Sequence, residues 1–251
     1  SLASTSTSEI SALVNGVVAS DLTKDIYTEE SYNDSLNFVR NTNFWGKDIV
    51  GITGISPWNS RNNNRRAGTV ITPRHVLFCE HSDFNLEVGD TIYFVTRDNT
   101  VVSRQILAEV NHPTSGFADG DFNIAILNED LPDTIEVLKV LGNDAVDYFQ
   151  AGDLFFSFWV DQEEKGLIKN ITNISSGNIS FGVATGLESW YESAITGDSG
   201  NPAFILLNNE ATLVTVTTFG GGGNGDFIST QDMINDLNTM IASVDSAANV
   251  N

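Results

Sequence analysis

Hydrophobic positions follow a helical spacing only at the two ends of the chain. Near the start Ile10, Leu13, Val14, Val17 and Val18 recur three and four residues apart, which predicts a short helix over Glu9–Ala19, behind a Ser/Thr-rich opening and docked on the main domain. Residues 20–45 are polar, acidic and Asn-rich, with Tyr27, Tyr32, Phe38, Phe44 and Trp45 scattered among them, and predict an ordered wrap. From Ile49 the pattern changes to short runs of β-branched and aromatic residues broken by Gly, Asn, Asp and Pro clusters, the signature of a sandwich or barrel. The expected strands are Ile49–Ile55, Gly68–Ile71, His75–Phe78, Thr91–Thr96, Ser103–Val110, Ile124–Leu127, Leu154–Val160, Asn178–Ala184, Pro202–Leu207, Ala211–Phe219 and Phe227–Ile228. A closing helix follows, because Met233, Ile234, Leu237, Met240 and Ile241 share one face. Residues 170–180, which carry the sequons at Asn170, Asn173 and Asn178, are expected to be a turn between strands.

Composition narrows the function classes more than it changes this outline. At 251 residues the chain suits one all-β domain with a short extension. The formal charge is −21, and beyond Arg104 the only basic residues are Lys139, Lys165 and Lys169. Such a surface repels phosphate backbones and anionic lipid, which excludes nucleic acid as a partner. The acidity itself is a solubility device. No apolar run approaches the ~20 residues that a membrane span needs, so no membrane insertion is expected. Cys79 is the single cysteine, so no intrachain disulfide can form. The opening residues Ser1–Ser8 hold neither Met nor a basic region, and the expectation is a removed leader or a piece of a longer chain.

The candidate chemistry centres on Gly197-Asp198-Ser199-Gly200-Asn201-Pro202. A serine hydroxyl becomes a nucleophile when a base removes its proton and donors stabilise the oxyanion. Small residues let this segment turn tightly, so that the Gly197 and Ser199 amides can converge on one oxygen. The hexapeptide resembles the nucleophile motif of trypsin- and chymotrypsin-like serine proteases, with Asn201 in place of a usual Gly. Upstream, Ala67–His81 resembles the strand-turn-strand that leads to that family's histidine, without a gap, and puts His81 at the position of the general base. Phe78-Cys79-Glu80 replace small residues there. Asp121-Phe122-Asn123-Ile124-Ala125-Ile126-Leu127, followed by Leu131-Pro132, resembles the strand bearing the family's orienting carboxylate. Asp121 takes that role, with Asp119 as the fallback and Asn123 under a shifted register. The order His, Asp, Ser is that of the chymotrypsin-like enzymes.

The resemblance covers roughly residues 47–245 and implies an all-β, chymotrypsin-like double β-barrel with a C-terminal helix and an N-terminal helical extension. The extension would be residues 1–46 and the protease domain 47–251, with barrels at about 47–135 and 136–230. The implied activity is a serine endopeptidase acting on an extended peptide or protein substrate, without cofactor, extracellular or virion-associated, of a bacterial, viral or phage type without disulfides. The alternative is an impaired protease fold kept as a binding or structural module. Ser193 would floor the specificity pocket, Thr218, Phe219 and Gly220 would meet substrate backbone, and Gly220 and Gly225 would open the pocket walls. An uncharged floor favours an apolar or aromatic side chain before the scissile bond, whereas Asp226 or Glu192 there would select Lys or Arg. In zymogen-type members a freed Ile-Val-Gly-Gly amine pairs with the Asp before the serine. Ile49-Val50-Gly51 reads instead as the first barrel strand, so Asp198 needs an internal cation or backbone donors. His75 is expected to be exposed or at a strand edge and His112 to lie in a loop. Three histidines without clustered carboxylate or thiolate spacing argue against a metal site.

Overall fold

The N-terminal helix is decided by capping and by one buried hydroxyl. In the computed structural model, which describes residues 1–30, 37–57, 68–80, 86–113, 121–142, 149–175, 177–218, 224–226 and 231–250, helix α1 runs over Leu2–Val14. It therefore starts well before the expected Glu9 and stops short of Val17 and Val18. Ser1 and Ser4 form a capping box, and the buried face is Ala3, Ser6, Ile10 and Val14. Ser6 is invisible to an apolar count, yet its hydroxyl donates to the Phe156 carbonyl at 2.7 Å and accepts from the Leu206 amide at 3.0 Å.

Residues after α1 wrap the sheets. Helix α2 (Asp21–Lys24) precedes the paired strands β1 (Tyr27–Glu29) and β2 (Val39–Arg40). Phe38, Phe44 and Trp45 are buried, and the Trp45 indole N–H donates to the Gly166 carbonyl at 2.9 Å. The strand expected at Ile49–Ile55 is not formed. Gly51 takes φ +103° and a 3-10 turn covers Ile52–Gly54, leaving only isolated bridges at Val50 and Ile55. The apolar side chains there fill the core from a turn, so alternation alone misreads them.

Two larger antiparallel sheets carry most of the described strands. One has β3 (Thr69–Thr72), β4 (His75–Cys79), β5 (Thr91–Val95), β6 (Val101–Asn111) and β7 (Phe122–Leu127), in the order β3-β4-β7-β6-β5. Strands β4 and β7 are buried at every residue. The other contains β8 (Lys139–Val140), β9 (Phe156–Val160), β10 (Gly166–Ser175), β11 (Asn178–Gly182), β12 (Pro202–Leu207), β13 (Glu210–Val216) and β14 (Asn224–Asp226). Its order is β14-β11-β10-β9-β12-β13-β8, antiparallel except for β8 beside β13.

Strand β10 corrects the expectation of a turn over 170–180. The sequons at Asn170 and Asn173 lie in a strand and Asn178 opens the next, because Leu167, Ile168, Ile171 and Ile174 turn inward while β11 pairs back immediately. The expected strand at Phe227–Ile228 lies outside the described residues. Helix α3 (Gln231–Ala247) closes the chain against β6 and β7, burying Leu237, Met240 and Val244. The chain is thus mostly β, with helices at both ends. Among the described residues no helix is long and apolar enough to cross a membrane.

Candidate functional site

Strand β12 begins at Pro202, and the loop before it carries Ser199 in a half-buried position. Gly197 has φ +107° and Gly200 φ +85°, a conformation that glycine adopts without the steric penalty of a Cβ. Between them the Asn201 amide donates to the Asp198 carbonyl at 3.1 Å, closing a tight turn around Ser199. Reciprocal bonds from Gly200 N–H to Thr217 O and from Thr217 N–H to Asn201 O, both 2.8 Å, tie this turn to the end of β13. Among the described residues neither the Gly197 nor the Ser199 amide donates a hydrogen bond.

Asp198 is buried and anchors the loop from below. Its Oδ1 accepts from the Gln162 backbone amide at 3.0 Å and from Gln162 Nε2 at 3.2 Å, while Oδ2 accepts from the Ile195 amide at 2.9 Å. Backbone and amide donors therefore hold this carboxylate from within the chain. Gln162 belongs to the turn after β9, where buried Asp161 accepts the Glu163 and Lys165 amides at 2.9 and 3.0 Å. Burial pushes Asp161 up to about 7, the Lys165 amide pulls the other way, and the nearby Asp198 and Glu192 charges push further.

Strand register places Asp121 beside the end of β4. Asp121 is 2% exposed at the entrance to β7. Cys79 pairs with Phe122 across the β4–β7 ladder, the Glu80 amide donates to the Asp121 carbonyl at 3.4 Å, and Cys79 Sγ lies 3.7 Å from Asp121 Oδ2. His81 follows Glu80 directly in sequence but lies outside the described residues, as do Asp119, Phe219 and Gly220. Thr218 is buried just past β13, and Ser193 is exposed. Gly225 is buried in β14, where a Cβ would come 2.2 Å from Thr215 Oγ1 and 2.5 Å from the Val216 carbonyl. Its missing side chain admits strand β13. Asn201, which stands where the family motif has Gly, is fully buried, and neither of its amide atoms finds a hydrogen-bond partner among the described residues.

No family model matches this chain, and no curated protein matches it.

Of the two other histidines, His75 opens β4, at the strand end expected for it, and His112 lies in the loop just past β6, as expected; both are buried. His75 Nδ1 meets Thr72 Oγ1 at 2.6 Å and its Nε2 meets Asp245 Oδ1 at 2.6 Å. His112 Nε2 lies 2.7 Å from Asp236 Oδ2, with its ring against Phe122. Both bonds join the five-stranded sheet to α3, a pairing between residues too distant in sequence to be read from either strand. Lys169 also escapes a sequence reading. It is fully buried in β10, and its Nζ lies 3.2 Å from the Trp159 ring centroid and 5.2 Å from that of Tyr191. A lone lysine inside the apolar run Leu167–Ile171 is the signal that could have found it.

Proposed function

We propose that the chain is a serine endopeptidase with a chymotrypsin-like double barrel, in which Ser199 is the nucleophile. The observation that supports this most is the Gly197–Gly200 turn, with its internally anchored Asp198 and two unengaged amides. In this reading His81 takes the proton from Ser199 Oγ as the hydroxyl attacks the peptide carbonyl. The Gly197 and Ser199 amides hold the resulting oxyanion, and Asp121 orients the imidazole and stabilises its charged form. His81 then protonates the leaving amine. Water, deprotonated by His81, releases the acyl group and restores Ser199. The substrate is an extended peptide laid beside Thr217–Gly220, and the uncharged Ser193 favours an apolar side chain before the scissile bond.

Labelling with a fluorophosphonate tests the reading. Stoichiometric modification of the wild type is expected, with none in Ser199→Ala and at least about a hundredfold slower reaction in His81→Ala, the scale of general-base catalysis. Inert wild type would instead indicate a binding or structural module on the same fold. With an active enzyme, peptides carrying Phe or Leu before the cleaved bond should outrun those carrying Lys or Arg, and the reverse order would place an acid in the pocket.

A further inference from the structure

Residues 20–30 and 37–46 have no part in that mechanism, yet they are pinned to the turn that anchors Asp198. The Ile26 amide donates to the Glu164 carbonyl at 2.9 Å, and Asp25 makes an isolated antiparallel bridge with Lys165. At the end of the same turn the Trp45 indole donates to the Gly166 carbonyl at 2.9 Å. Gly166 acts as a socket. A Cβ there would come 2.4 Å from Phe44 Cε1 and 2.8 Å from Phe158 Cε2, so its bare backbone is what lets Phe44 seat. The strap is braced internally as well, by bonds from the Trp45 amide to the Thr23 carbonyl at 3.0 Å and from the Asn41 amide to the Ile26 carbonyl at 2.9 Å.

Trp45 also touches the second segment that leads to Ser199. Its ring meets Trp190 edge-on with centroids 6.1 Å apart, and Phe158 edge-on at 5.1 Å; all three rings are buried. Trp190 ends the 3-10 turn Glu188–Trp190, just upstream of Ser193. Two supports of the nucleophile loop therefore meet on one side chain. One is the 161–165 turn, whose Gln162 amide donates to Asp198 Oδ1; the other is the backbone that enters the loop at Trp190. Lys165 also reaches Glu192 Oε1 at 3.7 Å between these segments, but that carboxylate is 39% exposed, and a solvent-screened pair constrains geometry less than interlocked buried rings do.

We propose that Trp45 is a positioning residue: seated on Gly166 and against Trp190, it fixes the turn that offers Gln162 to Asp198, and thereby sets the Gly197 and Ser199 amides. The N-terminal strap is then a working part of the nucleophile loop. Its catalytic consequence rests on the reading of Ser199 as nucleophile, but the ordering of the loop is measurable without activity.

Hydrogen exchange of the whole chain tests this on Gln162, Ile195, Asp198, Gly200 and Asn201, whose amides all hold hydrogen bonds in or beneath the loop. Trp45→Phe removes the indole donor and keeps a ring, and Gly166→Ala puts a methyl group where Phe44 sits. In each variant those amides should exchange about tenfold faster or more, while the β4 amides stay within about threefold of wild type. Phe94→Leu, in the core of the five-stranded sheet, controls for general loosening and should speed β4 at least as much as the loop. Wild-type loop rates in either variant, loop rates that rise only in step with β4, or a loop that loosens ahead of β4 in Phe94→Leu would overturn the proposal. Either variant decides alone if the other does not fold. Fluorophosphonate labelling of the same samples separates the two readings. In a labelling enzyme the rate at saturating reagent should fall about tenfold or more in both variants, with the half-saturating concentration unchanged. A loosened loop that still labels at the wild-type rate overturns the positioning role. A loosened loop in a protein whose wild type never labels sinks the catalytic reading alone, and an unmoved loop in a labelling enzyme sinks the Trp45 proposal alone.

Discussion

A buried carboxylate needs donors, and the two under the candidate loop both accept backbone amides. Asp198 is met by three N–H groups. Asp161 accepts two backbone amides, yet burial and its acidic neighbours raise it from 3.8 to about 7. Its contribution to stability is therefore fully present below the unfolded value of 3.8 and is lost as pH rises through about 7. Asp161→Asn keeps an oxygen for the Glu163 and Lys165 amides while removing the ionisation. Urea unfolding between about pH 4 and 8 should show a flatter pH dependence in the variant, the difference being on the order of 1.4 kcal/mol for each tenfold by which folding tightens the hold of Asp161 on its proton. An unchanged pH slope would mean that Asp161 ionises in the native state as freely as in the unfolded chain.

Hydroxyls and imidazoles seat the elements as firmly as apolar faces do. Strands β9 and β12 pair at only Ala203–Trp159 and Phe204–Phe158. Beyond that point Ser6 of α1 bridges the Phe156 carbonyl and the Leu206 amide, standing in for a ladder rung. Ser6→Ala leaves both backbone groups buried without this partner, so it should lower the unfolding free energy by about 1–3 kcal/mol in a denaturant titration. A loss much smaller than that would show water replacing the hydroxyl. At the other end of the chain, Asp236 and Asp245 reach His112 and His75 from the same helix that buries Leu237, Met240 and Val244. The helix is thus held by polar pairs as well as by its apolar seam.

For the molecule as a whole, a formal charge of −21 is the dominant long-range fact. Like charges on a folded surface repel more than in the expanded chain, and salt screens them over about 10 Å at 0.1 M. Thermal unfolding should accordingly shift upward by several degrees between about 0.01 and 0.5 M sodium chloride, on the scale of roughly 4 °C or less per kcal/mol for a chain of this size. A downward shift would mean that ion pairs such as Arg97–Glu136 outweigh the net repulsion.

The mostly β character, the closing helix and the tight turn at Gly197–Gly200 were legible in the chain itself, because strand and helix periodicity and glycine's backbone freedom are local properties. Local patterning also misled: Ile49–Ile55 alternates like a strand and folds as a turn, and the Ser/Thr-rich opening carries no apolar stripe and folds as a capped helix. The burial and partners of Lys169, Asp161, His75 and His112 could not be read locally, since a polar side chain's role depends on partners many residues away in sequence. Only tertiary structure brings Gln162 to Asp198, α3 to the two histidines, and the Trp159 ring to the buried lysine. Burial and electrostatic pairing are properties of the assembled interior, whereas propensity and periodicity belong to the chain.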